Sequence, residues 1–194
     1  MKMISPDNFL IIVISWMGIA IIVFPFLLKI TAPYGRHSKT NWGIMINNRS
    51  GWLIMELPAL LVFSYFLVKS GNFQNKIVII ALILWVMHYF NRALIFPFRI
   101  KTKGKKMPVI IMVFALIFNF MNASLNGYWL GYMALENANT RILSIRLISG
   151  VVLFMAGFCI NQYHDRLLIK LRKSSKNGYK IPYGKFIPKP YIPA

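Results

Sequence analysis

Residues 9–28 read FLIIVISWMGIAIIVFPFLL, a run of twenty positions without a charged side chain. At about 1.5 Å per residue, a helix of this length crosses the roughly 30 Å of hydrocarbon in a bilayer. Lys29 follows directly, and no small-residue cleavage site is present. A secretory signal has a shorter apolar core and such a site, so this stretch predicts a helix that is retained in the membrane.

Four further stretches predict membrane spans, at 52–68, 77–98, 108–134 and 143–163. The composition agrees, because 57% of the residues are hydrophobic and only four of 194 are carboxylates, which does not suit the surface of a water-soluble protein. We therefore expect an all-α fold, a polytopic transmembrane helical bundle. Residues 1–169 would form the membrane domain and residues 170–194 a polar cytoplasmic tail. The one cysteine, Cys159, excludes a disulfide framework.

Lysine and arginine are unevenly distributed between the two sides of the membrane. The formal net charge is +19, but the basic residues lie between apolar runs rather than on a soluble surface of the kind that binds nucleic acid. If the connecting segments alternate sides, one side carries seventeen basic residues and the other five, with Arg92 inside the third span. The positive-inside rule makes the richer side cytoplasmic. Membrane lipids are expected partners, and this charge bias alone needs no other ligand.

Two groups of polar residues lie inside the predicted spans, where an unpaired charge costs about 3 kcal/mol or more. Glu56, one helical turn after Trp52, is the only acid in the first four spans. The third span contains His88-Tyr89-Phe90-Asn91-Arg92. Glu56 could simply stabilise a helix end, and Arg92 could reach the headgroups. A short connection makes these two helices antiparallel neighbours, so we predict that Glu56 and Tyr89 share a cavity open to the cytoplasm.

Polar side chains also follow one face of the fourth span and the end of the fifth. Asn119, Asn122 and Asn126 form a stripe that suits either interhelical hydrogen bonds or a pocket lining. The fifth span ends Asn161-Gln162-Tyr163-His164-Asp165, beside a lysine-rich loop at 99–106, a combination that suits a ligand with hydroxyls and phosphates. Nucleotide-binding glycine motifs and paired metal-binding histidines are absent from the sequence, and we expect no metal.

Several segments, in this order over about residues 30–184, together resemble the membrane-embedded steroid 5α-reductase family. The resemblance implies a seven-helix fold, of which about five spans are present here. It also implies an enzyme that uses NADPH to reduce the carbon–carbon double bond of a conjugated ketone, typically a 3-oxo-4-ene steroid. The segments are Pro33-Tyr34-Gly35-Arg36-His37, Glu56-Leu57-Pro58, His88-Tyr89-Phe90-Asn91-Arg92, Asn126-Gly127-Tyr128, Asn161 with Asp165, Leu171-Arg172-Lys173 and Tyr179-Lys180-Ile181-Pro182.

The family pattern implies a role for each matching residue. Glu56 and Tyr89 would be catalytic, because they would hold and polarise the 3-oxo group, while Trp52 and Phe118 would line the apolar substrate slot. Hydride addition builds negative charge on the ketone oxygen, which two hydrogen-bond donors stabilise; Glu56 must be protonated to donate. The implied contacts with the dinucleotide are Arg92, Lys105, Asn161, Asp165, Arg172 and Tyr179, with Lys105 after a loop two residues longer than in the family.

Two departures from the family pattern shape these expectations. Met55 stands where steroid reductases usually have glutamine, which weakens the assignment of a steroid substrate. The chain also leaves the pattern after Gly184, where the family continues into further cofactor ligands and two more helices. We therefore expect a truncated member with little or no turnover. It would lie in the endoplasmic reticulum of a eukaryote or the inner membrane of a bacterium.

Two alternative functions remain open from the sequence. A related fold serves lipid metabolism, so the substrate could be an enoyl thioester or a polyprenol. The other alternative is a non-catalytic membrane protein that keeps this fold for binding lipids or a partner.

Overall fold

The computed structural model describes residues 4–30, 32–33, 41–100, 104–134 and 144–174. Among these residues, five stretches are long and apolar enough to cross a membrane, at Pro6–Lys29, Asn48–Ser70, Lys76–Arg99, Val109–Met133 and Ile145–Leu171, which confirms the predicted helical membrane bundle. Two π-helical turns lie within these stretches, at Asn91–Ile95 and Trp129–Met133. The helices are α1 (Pro6–Lys29), α2 (Asn48–Ser70), α3 (Lys76–Phe90), α4 (Phe96–Arg99), α5 (Val109–Tyr128) and α6 (Ile145–Ser174).

Local sequence explains where the helices of the central hairpin begin and end. The side chain of Asn47 accepts a hydrogen bond of 2.9 Å from the backbone N–H of Arg49 at the start of α2, and Asn75 caps α3 in the same way. Helix α2 ends at Gly71, whose φ of 67° is left-handed and suits glycine. The short connection that follows makes α2 and α3 an antiparallel pair.

Helices α2 and α5 pack most closely in the bundle. Gly127 permits this approach, because a Cβ atom there would lie 3.2 Å from the Cα atom of Phe63. One turn further on, a Cβ atom at Gly131 would lie 3.2 Å from the carbonyl oxygen of Phe66. Small residues at this spacing let membrane helices approach backbone to backbone. The buried core beside them contains Phe63, Leu67, Val78 and Ala123.

Trp85 connects α3 to α2. Its ring stacks on Phe63 with centroids 4.1 Å apart and planes 9° apart. Its indole Nε1 donates a hydrogen bond of 2.7 Å to the carbonyl oxygen of Ala59. The ring is therefore packed against an aromatic neighbour and the indole N–H is hydrogen-bonded, as a tryptophan in apolar surroundings requires.

Helix α1 lies at the edge of the bundle, and its residues are largely exposed, as expected for a helix in contact with lipid. It contacts α5 through Phe9, whose ring stacks on that of Tyr128 with centroids 5.7 Å apart. Trp16, about two turns further along the same helix, has its ring centroid 6.3 Å from that of Phe118.

A short antiparallel ribbon joins the starts of α2 and α5, a feature that the all-α prediction did not include. Strand β1 (Met45–Asn47) pairs with strand β2 (Lys106–Pro108) in the register Met45↔Pro108, Ile46↔Met107 and Asn47↔Lys106. Gly51 leaves room for the Met107 side chain under the ribbon. We call this end of the bundle, which also carries α4, the ribbon end. Helix α6 continues past the predicted end of the fifth span, at 163, to Ser174.

Candidate functional site

Arg92 lies in the π-helical turn between α3 and α4, within an aromatic cage. Its Cζ atom is 4.6 Å from the ring centroid of Trp52 and 4.7 Å from that of Phe96. The two rings meet edge to face, with centroids 5.5 Å apart. Trp52 and Phe96 thus hold the cation by their π faces, and π-helical turns of this kind often occur at functional sites.

The guanidinium group of Arg92 pairs with two carboxylates from two other helices. Its Nε lies 3.5 Å from Oε1 of Glu56 on α2, and its Nη1 lies 3.7 Å from Oδ2 of Asp165 on α6. The three side chains are largely buried, with 22% of Arg92 and 13% of each acid exposed. We call these three residues the charged cluster. It joins α2, α3 and α6 at one point in the bundle.

The second oxygen of Glu56 faces α5. Asn119 is buried, and its Nδ2 donates a hydrogen bond of 2.7 Å to the carbonyl oxygen of Met55. The same nitrogen lies 3.5 Å from Oε2 of Glu56. Met55, at the position where the family usually has glutamine, is buried. Its main-chain oxygen, rather than a polar side chain, is what it contributes to the site. The asparagine stripe was expected either to form interhelical hydrogen bonds or to line a pocket, and the contact of Asn119 with Met55 supports the first interpretation.

Tyr89 approaches the charged cluster from α3. Its ring lies against Trp85, with centroids 4.8 Å apart. Its side chain interacts electrostatically with those of Glu56 and Asn122. The structure therefore brings Glu56 and Tyr89 to the same region of the bundle, although their catalytic roles stay predictions.

Asp165 has the features of an acceptor for a ligand. Its Oδ2 is buried and accepts no hydrogen bond from the described part of the chain. Asn161 lies one turn earlier on α6, and Gln162 beside it accepts a hydrogen bond of 3.4 Å from Nη1 of Arg99. Buried oxygen acceptors and two arginines suit a ligand that carries hydroxyls and phosphates.

Phe96 was not predicted to belong to this site, and the hydrogen bond between Arg99 and Gln162 was not predicted either. Phe96 follows Arg92 by four positions, a helical spacing that places the two side chains on one face. This spacing was the sequence signal by which Phe96 could have been identified. The contact of Arg99 with Gln162 depends on how α6 docks, which the sequence does not indicate.

The other predicted site residues lie away from the charged cluster or outside the described residues. Phe118 is 55% exposed and faces Trp16 of α1 rather than the charged cluster. The side chain of Lys105 is exposed, and its backbone carbonyl accepts a hydrogen bond of 3.1 Å from the N–H of Asn48. The side chain of Arg172 and the whole of Tyr179 lie outside the described residues.

Two apolar clefts lie beside the site. One, of about 680 Å³, is lined by residues of α3, by the π-helical turn that follows it and by Phe158 of α6. The other, of about 320 Å³, lies between α3, α5 and α6. Glu56 and Tyr89 line neither of these clefts. Within residues 4–30, 32–33, 41–100, 104–134 and 144–174, no group of three or more His, Cys, Asp or Glu side chains could hold a metal ion.

Comparison with known proteins gives consistent matches. Residues 105–188 match the family model described as 3-oxo-5-alpha-steroid 4-dehydrogenase. The chain is 32% identical over 162 residues to Steroid 5-alpha-reductase DET2 of Gossypium hirsutum, covering 81% of the chain and 62% of the relative. It is 33% identical over 153 residues to 3-oxo-5-alpha-steroid 4-dehydrogenase 1 of Macaca fascicularis, covering 78% and 57%. It therefore spans roughly 60% of the length of these relatives.

Proposed function

The chain belongs to the steroid 5α-reductase family, and on that premise we propose that the protein uses NADPH to reduce the 4,5 double bond of 3-oxo-4-ene steroids. Its relatives carry the names of steroid 5-alpha-reductases and 3-oxo-5-alpha-steroid 4-dehydrogenases. Its five apolar helices suit an integral membrane enzyme that takes a lipid-soluble substrate.

The convergence of Glu56 and Tyr89 in the interior of the bundle carries this proposal. Glu56 is held on one oxygen by Arg92 and on the other by Asn119, so its carboxyl group has a defined orientation. Tyr89 offers a phenol hydroxyl from the neighbouring helix α3, and its side chain interacts electrostatically with that carboxyl group. Two such groups can together hold one ketone oxygen, as the reduction of an enone requires.

The role of the two residues in the reaction follows from where charge develops. NADPH, when bound, supplies the hydride that adds at the far end of the enone. Negative charge then builds on the ketone oxygen, which Tyr89 stabilises by donating its hydroxyl proton in a hydrogen bond. Glu56 does the same when its carboxyl group is protonated. Because Arg92 pairs with Glu56 in this structure, the guanidinium must move away from Oε1 before Glu56 can donate there.

The cofactor side of the site fits a phosphate-bearing dinucleotide. The buried Oδ2 of Asp165 can accept a hydrogen bond from a ribose hydroxyl or an amide. Arg92 and Arg99 place two guanidinium groups near α6. We propose that Asn161, Lys105, Arg172 and Tyr179 complete the binding set, with the arginines favouring NADPH over NADH because they pair well with the additional phosphate.

A single assay tests the proposed function. The assay uses the protein extended to the full length of the relatives that it matches, which we call the full-length protein. Membranes that contain it are incubated with NADPH and a 4-ene-3-one steroid, and the product is identified by mass spectrometry. Stereospecific reduction at the 4,5 bond is expected, and the Glu56→Ala variant in the same membranes serves as the control. Parallel incubations use a 2-enoyl thioester and an unsaturated polyprenol. Reduction of one of these in place of the steroid would contradict the proposed substrate, and no reduction of any would contradict the proposed function.

A further inference from the structure

We propose that Asn119 is a positioning residue for this reaction, and that its amide group determines which oxygen of Glu56 carries the proton donated to the substrate. The inference rests on the proposed function, because it concerns how Glu56 would meet a ketone. Asn119 belongs to α5, whereas Glu56 and Tyr89 belong to α2 and α3. A third helix, α5, would therefore help to orient the reacting groups.

The identity of the Asn119 atom that faces Glu56 follows from its other partner. The carbonyl oxygen of Met55 can only accept a hydrogen bond, so the atom 2.7 Å from it must be the amide nitrogen. That nitrogen carries two hydrogens. One is used by Met55, and the other is available for Oε2 of Glu56, 3.5 Å away. Asn119 is thus a donor toward Glu56, and Oε2 must accept.

This arrangement makes the two oxygens of Glu56 unequal. Each oxygen faces an N–H donor 3.5 Å away, Oε1 that of Arg92 and Oε2 that of Asn119. Once the guanidinium of Arg92 has moved away, as donation by Glu56 requires, only Oε2 still faces a donor, so a proton on Glu56 belongs on Oε1. Oε1 is the oxygen that faces Nε of Arg92, at 3.5 Å, on the side of α3. A ketone that receives the proton must therefore approach from the α3 side, where Tyr89 also lies. Asn119 aims Glu56 toward the same point as the second donor.

Asn119 is held rigidly enough for this role. It is 9% exposed, and its bond to Met55 is made to the main chain of α2, which cannot rotate away. The close contact of Gly127 with Phe63 fixes α5 against α2 two turns further along. Asn126 on the same helix provides a matched comparison, because it is exposed and its amide donates to Asn122 within its own helix.

The first experiment compares Asn119→Leu with Asn126→Leu in the full-length protein. Leucine has the same branched arrangement of side-chain heavy atoms as asparagine and cannot donate a hydrogen bond. For Asn119→Leu we expect kcat to fall about tenfold, while KM for the steroid changes less than twofold, because the ketone is still bound but its donor is less well aimed. Asn126→Leu should keep both constants within twofold. If Asn119→Leu lowers folding yield, Asn119→Asp keeps the shape and removes the donors, and should lower kcat at least as far.

A double-mutant cycle separates a positioning role from a structural one. In a Glu56→Ala background, replacing Asn119 by leucine should lower the remaining rate less than twofold, because the group that Asn119 orients is gone. A full tenfold loss in that background would mean that the bond to Met55 maintains the helix pair, and would overturn the inference. Inactivity of the parent protein would instead overturn the proposed function and the inference with it.

An infrared measurement tests the hydrogen bond without turnover. In the complex with a steroid enone, the carbonyl band of protonated Glu56 is identified by its loss in Glu56→Gln. That band should move to higher frequency in Asn119→Leu, because the carbonyl loses its donor, and should not move in Asn126→Leu. An unshifted band in Asn119→Leu would also overturn the inference.

Discussion

Nη1 of Arg92 lies 3.7 Å from Oδ2 of Asp165, and this ion pair links α6 to the rest of the bundle. The other contacts of α6 with α3 include ring contacts of His88 with Phe154 and Phe158, each with centroids 6.2 Å apart. Since α6 carries the proposed cofactor residues, its docking on α3 determines the geometry of that half of the site. We therefore expect the charged cluster to contribute both to stability and to the proposed binding of the cofactor.

The first prediction concerns Asp165→Asn, which removes one of the two carboxylates that share Arg92. The loss should be modest, about 1 kcal/mol in the free energy of unfolding, because the pair is long and Arg92 keeps Glu56 as a partner. NADPH binding should weaken at the same time, since Oδ2 would be lost as a charged acceptor. Thermal unfolding and nucleotide titration in detergent measure the two effects. Asp7→Asn, at the exposed start of α1, is the control, and equal effects in both variants would contradict the assigned role.

The second prediction concerns the contact between α2 and α5. Gly127→Ala places a Cβ atom 3.2 Å from the Cα atom of Phe63, where only a shift of a backbone can relieve the clash. We expect the free energy of unfolding to fall by about 1–3 kcal/mol. Gly150→Ala on α6, where nothing lies within 4 Å of the added atom, should be neutral or slightly stabilising. Similar unfolding curves for the two variants would rule out close packing at Gly127.

The parts of the fold that were predicted from sequence follow from strong, simple physical constraints. Residues 9–28 have no charged side chain, and twenty apolar residues have few other uses than crossing a bilayer. The short connection between α2 and α3 leaves only an antiparallel arrangement, and this brings Glu56 near Arg92. The contact between Glu56 and Arg92 agrees with these two helices being neighbours, whereas the cavity shared by Glu56 and Tyr89 stays a prediction.

The parts that were missed depend on rotation and docking. Adjacent helical residues point about 100° apart, so once Asn119 faces Glu56, Phe118 must face away toward α1. Whether Phe118 or Asn119 faces the charged cluster could not be predicted without knowing which face of α5 meets α2. The π-helical turn at Asn91–Ile95, which places Arg92 in its cage, was missed as well. Pro97 was the available signal, because it lacks the N–H that a regular helix would pair with the carbonyl of Ala93.

The third prediction tests the orientation in the membrane. Lys105→Cys and Gln74→Cys, each in a Cys159→Ala background, put one exposed thiol at each end of the bundle. The count of seventeen basic residues against five predicts that the ribbon end faces the cytoplasm. In sealed vesicles with the cytoplasmic face outward, an impermeant maleimide should label Lys105→Cys and leave Gln74→Cys unlabelled until detergent is added. The opposite pattern would reverse the orientation.

The fourth prediction concerns the choice between NADPH and NADH. If Arg172 contacts the additional phosphate, Arg172→Ala should weaken NADPH binding by tenfold or more and leave NADH binding within about threefold, since only NADPH carries that charge. Isothermal titration with both nucleotides measures the difference. Lys170→Ala, two positions away on the same helix, is the matched control. An equal loss for both nucleotides would exclude a role at that phosphate.

The last prediction concerns Glu56, whose two carboxylate oxygens face Arg92 and Asn119. Glu56→Gln keeps the size and one donor, so it should retain part of the rate, whereas Glu56→Ala should lower kcat about a hundredfold, the loss expected for one strong hydrogen bond in a dry site. Tyr89→Phe should be similarly damaging, and the double variant little worse than either single one, because groups that act as a unit are not additive. Thermal unfolding of each variant separates these effects from a loss of fold. If Glu56 only balances the charge of Arg92, its replacement by alanine would lower stability and leave kcat within threefold of the parent, and that result would remove Glu56 from the proposed reaction.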